Sequence, residues 1–250
     1  MSATIPPCQR VYAIGDIHGR FDLLEALHNA ISEDVSQAPD LDKTVVYLGD
    51  YIDRGSQVYE VVDALASNAL EGVRKIHLKG NHEDMMGGFL ANTFPFGTWL
   101  VNGGDATLVG YDIDIPPLTW ASALAFGEID VNETEEAEIR AALADKLPVA
   151  HAEFLDRLIL YHRCGDYIFV HAGVRPGVPL EQQDPEDLIW IREKFFRSKA
   201  DHGGVVVHGH SIFDDVDIQP NRIGVDTGAW RSDRLSCLVL EGEDLRIIQT

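Results

Sequence analysis

Five short polar clusters in this chain each follow an apolar run. They are Gly15-Asp16-Ile17-His18-Gly19, Gly49-Asp50-Tyr51-Ile52-Asp53-Arg54-Gly55, Gly80-Asn81-His82-Glu83, Val170-His171-Ala172-Gly173 and Val207-His208-Gly209-His210-Ser211. Carboxylate and amide oxygens with imidazole nitrogens, and no thiolate, suit manganese, iron, zinc or magnesium. Asp16, His18, Asp50, Asn81, His171 and His210 make six protein ligands, more than one ion needs. If Asp50 bridges, each of two ions receives three or four ligands and keeps room for water. Two ions about 3.5–4 Å apart is an arrangement that hydrolyses phosphate esters. A lone DxH or HxH pair carries little weight, because such pairs are usually structural.

These side chains meet only if the fold brings the ends of five apolar runs together. Residues 10–15 (RVYAIG), 44–49 (TVVYLG) and 73–80 (VRKIHLKG) predict buried strands. Between them, Phe21, Leu24, Leu27 and Ile31 predict a helix over 20–34. Val58, Val61, Val62 and Leu65 predict one over 56–70, with Ser56 as its cap. The order β-α-β-α-β implies a parallel sheet covered by helices, with ligands outside the carboxyl ends of its strands. Residues 93–165 read as a mostly helical insertion, with Asn132 opening a helix near 133–146. Seven acids and one base, Arg140, fall between Glu128 and Asp145, which reads as a solvated helix face or as a cap over the site. Further strands are predicted at 167–171 and 205–208, a helical stretch at 184–197, and an antiparallel meander over 221–249. No linker divides the chain, so residues 1–250 form one domain.

GDIHG, GDYIDRG and GNHE, in that order, resemble the signature of the PPP-family serine/threonine protein phosphatases, which are calcineurin-like metallophosphoesterases. The spacing fits one βαβ step each: 34 residues from Asp16 to Asp50 and 31 from Asp50 to Asn81. VHAG, HGHS and, more weakly, Ile189-Trp190-Ile191-Arg192 are also similar, and the likeness runs from Val11 to Gly228. WLVNGG and VDTGA resemble the bacterial and bacteriophage branch. The resemblance implies an α/β sandwich of two mixed sheets flanked by helices. It implies Asp16 and His18 on a first metal, Asp50 bridging, and Asn81, His171 and His210 on a second. Manganese is the expected ion, with iron or zinc as alternatives. It makes His82 the proton donor to the leaving group, Asp53 its orienting partner, and Arg54, Arg192 and Asn81 the phosphate-binding groups. The implied reaction is attack of a metal-bridging hydroxide on a phosphomonoester. Ser211 stands where the family commonly has threonine. No counterpart is visible to the surfaces that bind regulatory subunits in eukaryotic members. Glu83 and Asp226 lie in the motifs without an assigned role, His208 is a neighbour of the ligands, and Trp99 and Trp120 read as core.

The composition narrows the partners. With 41 acidic and 20 basic residues the formal charge is −21, which argues against nucleic-acid binding. No apolar run approaches the length of a membrane span. The N-terminus lacks a signal-peptide pattern, and Cys8, Cys164 and Cys237 form no CxxC pair, so a reducing cytoplasm is the expected setting. The leading expectation is a phosphatase acting on phosphoserine and phosphothreonine in proteins. The alternatives are a symmetrical dinucleoside-polyphosphate hydrolase, acting on diadenosine tetraphosphate, and an inactive module that binds phosphorylated partners.

Overall fold

The first three apolar runs become parallel strands: β1 (Gln9–Ile14), β2 (Asp42–Tyr47) and β3 (Arg74–His77). The structure is a computed structural model that describes residues 3–67, 69–115 and 132–250. Between the strands run α1 (Phe21–Ser36) and α2 (Val58–Ala66). Leu24, Leu27 and Ile31 of α1 and Val58, Val61, Val62 and Leu65 of α2 are buried, as the periodicity predicts, and Phe21 is partly buried. Ser56 does not cap α2. The N-cap is Gln57, and no side chain bonds the free N–H groups there.

β1 shows why these runs are continuously apolar. Tyr12 and Ile14 face α1 and α2, while Val11 and Ala13 face a second sheet, so both faces are buried. That second sheet has the order β4-β5-β6-β8-β7, from β4 (Tyr161–Cys164), β5 (Tyr167–Val170), β6 (Val205–His208), β7 (Asp217–Gln219) and β8 (Arg222–Gly224). The first sheet is completed by β9 (Ser236–Glu241) and β10 (Asp244–Gln249), in the order β10-β9-β1-β2-β3. Val46, Leu48, Leu238 and Leu240 of one sheet pack on Phe169, Val207 and Ile223 of the other. Both sheets mix parallel and antiparallel pairs, and helices cover the outer faces.

Three further expectations need correction. The end of the chain is not one meander. β7 and β8 extend the second sheet, whereas β9 returns to pair with β1 in the first. Alternating residues mark a strand, but the edge it joins depends on contacts distant in sequence. The helical stretch near 184–197 is two short helices, α8 (Pro185–Trp190) and α9 (Glu193–Phe196), broken at Arg192 (φ −132°, ψ −101°). Residues 93–165 include strand β4 beside the helices, antiparallel to β5.

α3 (Asn81–Leu90) leads into α4 (Phe96–Trp99), a π-helical turn at Leu100–Gly104, and α5 (Asp105–Gly110). Further on come α6 (Glu133–Lys146), with Asn132 Oδ1 accepting from Thr134 N–H, and α7 (Val149–Asp156). α6 packs through Ile139 and Leu143, and Arg140 donates to the carbonyl of Phe89 in the last turn of α3. The helix thus meets the end of α3 opposite Asn81 and His82. Trp120 and the acids Glu128 and Asp130 lie outside the described residues. Among the described residues, no helix is long and apolar enough to cross a membrane.

Candidate active site

Each polar cluster sits just past a strand. β1 ends before Asp16 and His18, β2 before Asp50, Asp53 and Arg54, and β3 before Asn81 and His82. β5 ends before His171, and β6 delivers His210. The chain bends sharply at these points. Nine non-glycine residues among those described have positive φ, and five of them are His18, Asp50, Asp53, Arg54 and His210. Such conformations are costly and gather where a site is held by its surroundings. Two glycines admit the close packing: a β-carbon on Gly80 or Gly209 would stand 2.1 Å from Asp50 Oδ1 or Asp16 Oδ1.

Asp50 is at the centre. Its carboxylate lies 3.3 Å from His171 Nε2, 3.5 Å from His18 Nε2 and 3.8 Å from His82 Nε2. Donor atoms of His18, Asp50 and His82 lie within 4.8 Å of one another, as do those of Asp50, His171 and His210. Asn81 Oδ1 joins the second group, 3.0 Å from His171 Nε2 and 2.8 Å from His210 Nδ1. Asp16 belongs to neither triad but faces the same space. Its two oxygens accept from the His210 backbone N–H at 3.2 and 3.0 Å. All six residues read from the sequence as ligands are therefore brought together.

The donor chemistry fits divalent cations. His18 and His171 are fully buried and His210 nearly so. Burial, with its neighbour His82, holds His18 well below the usual imidazole range. Burial, with His171 and Arg192, pushes His210 down to about 2, so both rings are neutral and free to ligate. His210 Nε2 is buried with no hydrogen-bond partner. Burial and the charges of Asp226 and Asp50 push Asp16 well above the carboxylate range. Burial also works against the charge on Asp50, but the imidazoles of His171 and His82 outweigh it and hold its carboxyl low. With His171 pushed up by the charge of Asp50 despite its burial, positive charge already gathers at Asp50, and a cation bound among Asp16, Asp50 and the neutral rings of His18 and His210 would take that place.

Beside this cluster lies a dyad. His82 Nδ1 is 2.6 Å from Asp53 Oδ2, and His82 Nε2 is 3.0 Å from Arg54 Nη2. Arg192, half-buried at the break between α8 and α9, donates to Ser211 Oγ at 3.0 Å and to the His210 carbonyl at 3.5 Å. These bonds tie its guanidinium to the loop that carries His210, and burial, opposed by the charges of Asp16 and Asp50, holds it below the usual arginine range.

Several residues acquire roles that their motifs do not announce. Glu83 receives the backbone N–H groups of Asp50 (3.0 Å), Tyr51 (2.8 Å) and Gly80 (2.9 Å), fixing the bend that presents Asp50. Asp226 is buried, accepts from Gly228 N–H at 2.8 Å, and burial pushes it up to about 6. Trp99 is core, as expected, yet its indole N–H also donates to Asp53. His208 packs among Phe195, Phe196 and Phe213 and belongs to neither donor group. The Arg54 guanidinium lies over the Trp230 ring, a pairing that could not be read from either position because Arg54 comes from a distant strand end.

Residues 9–229 match the model of the calcineurin-like phosphoesterase family. The chain is 25% identical to Serine/threonine-protein phosphatase 2 of Escherichia coli over 91% of both chains. Over 42% of its length it is 33% identical to the yeast protein phosphatase PP2A-like PPG1 of Saccharomyces cerevisiae, spanning 27% of that protein. Among solved structures it is similar to a proposed diadenosine tetraphosphatase (TM-score 0.61, 20% identity, 100% of this chain and 98% of that one). It is also similar to the cold-active protein-tyrosine phosphatase of a Shewanella species (TM-score 0.59, 17% identity, 99% and 82%). At these identities the solved structures speak for the fold alone. With its motifs in family order and its acid-imidazole cluster at the strand ends, the chain belongs to the calcineurin-like phosphoesterases, a family of metal-dependent hydrolases.

Proposed function

We propose that the protein removes phosphate from phosphoserine and phosphothreonine in proteins. The observation that carries the reading is the joining of two elements: donor groups sharing Asp50, and the Asp53–His82 dyad with Arg54. Metal binding alone needs no oriented imidazole beside an arginine. The name and full-length match of the Escherichia coli relative support the phosphoprotein class.

Asp16, His18, Asp50, Asn81, His171 and His210 would hold two divalent ions, with manganese the expected metal. When bound, such ions supply Lewis acidity toward phosphate oxygens and a water activated near neutral pH. Arg54 and Arg192 would offer planar donor forks to the phosphate oxygens, and the Asn81 amide, beside His171 and His210, would add a further donor. A serine or threonine alkoxide leaves poorly without a proton. His82 holds that proton at Nε2 while Asp53 accepts from Nδ1 and fixes the ring. Arg54 Nη2 donates to Nε2 at 3.0 Å in this structure, so His82 would carry its proton at Nε2 only once the guanidinium bonds the phosphate instead.

The test is hydrolysis of a phosphoserine peptide by the full chain. Activity should vanish on chelation and return with Mn²⁺. Activity that survives exhaustive chelation would exclude the reading.

A further inference from the structure

We infer that residues 96–110, which carry none of the ligand motifs, form the positioning element of the acid dyad, with Trp99 and Thr107 acting through Asp53 to fix the orientation of His82. The inference rests on the reading of His82 as proton donor.

Asp53 is fully buried, and its carboxylate contacts no basic side chain other than His82 among the described residues. A buried carboxylate without donors is costly. Here the donors come from one segment. Trp99 Nε1–H donates to Oδ2 at 2.9 Å, the oxygen that also meets His82 Nδ1. The Thr107 hydroxyl donates to Oδ1 at 2.5 Å and accepts from the Asp53 backbone N–H at 3.0 Å. Donors at both oxygens fix the plane of the carboxylate, and that plane fixes the imidazole. Trp99 and Thr107 are themselves fully buried, so neither donor can turn to water.

The same segment holds the next residue. Gly103, within the π-helical turn, accepts from the Arg54 N–H at 3.1 Å, and the Asn102 carbonyl accepts from Arg54 Nε at 3.4 Å. Gly103 has φ +102°, and a β-carbon there would lie 2.7 Å from Arg54 Cγ. Asp53 and Arg54 have φ of 70° and 67°, and this grip explains how two strained residues in a row are kept.

The experiment compares Thr107→Val, Thr107→Ser, Trp99→Phe and His82→Asn in the Mn²⁺-loaded full chain. Each is assayed on a phosphoserine peptide and on p-nitrophenyl phosphate, whose leaving group needs no proton. Thr107→Val and Trp99→Phe should lower kcat on the peptide by about tenfold or more, with KM unchanged and a smaller loss on the aryl ester. Thr107→Ser, which keeps the hydroxyl, should recover most of the peptide activity. Equal losses on both substrates, or a Thr107→Ser loss matching Thr107→Val, would overturn the inference and leave a packing role only. If Trp99→Phe fails to fold, the two Thr107 variants decide alone. If His82→Asn itself loses both activities equally, the proton-donor reading has failed and the inference falls with it. If His82→Asn discriminates and the other variants do not, the positioning role alone has failed.

Discussion

Trp230 lays its indole over the Arg54 guanidinium, 5.2 Å from the ring centroid. The ring is one of the few large apolar side chains left exposed, at 38%. It follows the VDTGA run at the start of the short helix α10 (Ala229–Ser232). The guanidinium also meets His82 Nε2 and the Asn102 carbonyl, and the Arg54 backbone N–H donates to the Gly103 carbonyl, so the indole adds a third hold on the side chain.

A cation–π contact at an exposed position contributes about 0.5–1 kcal/mol. Trp230→Ala should therefore weaken inhibition by inorganic phosphate about two- to fivefold. Trp230→Phe should recover most of it. Unchanged phosphate inhibition in Trp230→Ala would show that the stacking does not hold Arg54 for phosphate.

Glu83 should govern metal affinity without touching metal. Its oxygens hold the backbone of Asp50, which sits at φ 53°. Glu83→Gln replaces one acceptor oxygen by an amide that cannot accept. Metal affinity should fall about 10- to 100-fold, as for other lost supporting bonds around metal ligands. Asp50→Asn should go further, and metal content by mass spectrometry should drop for both ions. Two metals per chain retained in Asp50→Asn would contradict the bridging position.

Much of this was legible in the sequence, and what was missed has a physical pattern. The five clusters and the β-α-β-α-β order could be read because strand ends and helix faces follow from local periodicity. Asp16, His18, Asp50, Asn81, His171 and His210 converge because short turns after strands of a sandwich point the same way. The missed partners reach the site from elsewhere in the chain. Trp99 and Thr107 bond Asp53 across 46 and 54 residues, and no spacing rule reports an indole N–H aimed at a carboxylate. The return of β9 to β1 was hidden for the same reason, since pairing across the whole chain leaves no mark in either strand.

Acid should weaken the fold through two histidines outside the site. His28 accepts or donates at Tyr47 Oη, 2.9 Å away, and His77 stacks on the Tyr47 ring at 4.8 Å. Burial, with the nearby charge of Lys75, pushes each from 6.5 down to about 4. The unfolded chain then binds protons that the folded chain refuses. Stability from this source is complete above pH 6.5 and is lost as pH falls toward 4, by up to about 1.4 kcal/mol per pH unit for each ring. His77→Phe should keep the stacking and remove one titration. Denaturant unfolding at pH 7 and pH 5 should show a smaller loss for the variant, by about 1–2 kcal/mol. Equal losses would assign the acid sensitivity to other groups.

The phosphoprotein reading is tested most directly by a competition between substrate classes in the Mn²⁺-loaded full chain. The measurement is kcat/KM for a basic phosphoserine peptide and for diadenosine tetraphosphate, at low and high salt. The chain carries a formal charge of −21, which opposes a polyphosphate more than a peptide with lysines beside its phosphate. The expected result is a preference for the peptide that narrows as salt screens the charge. A dinucleotide that is the better substrate at both salt concentrations would contradict it.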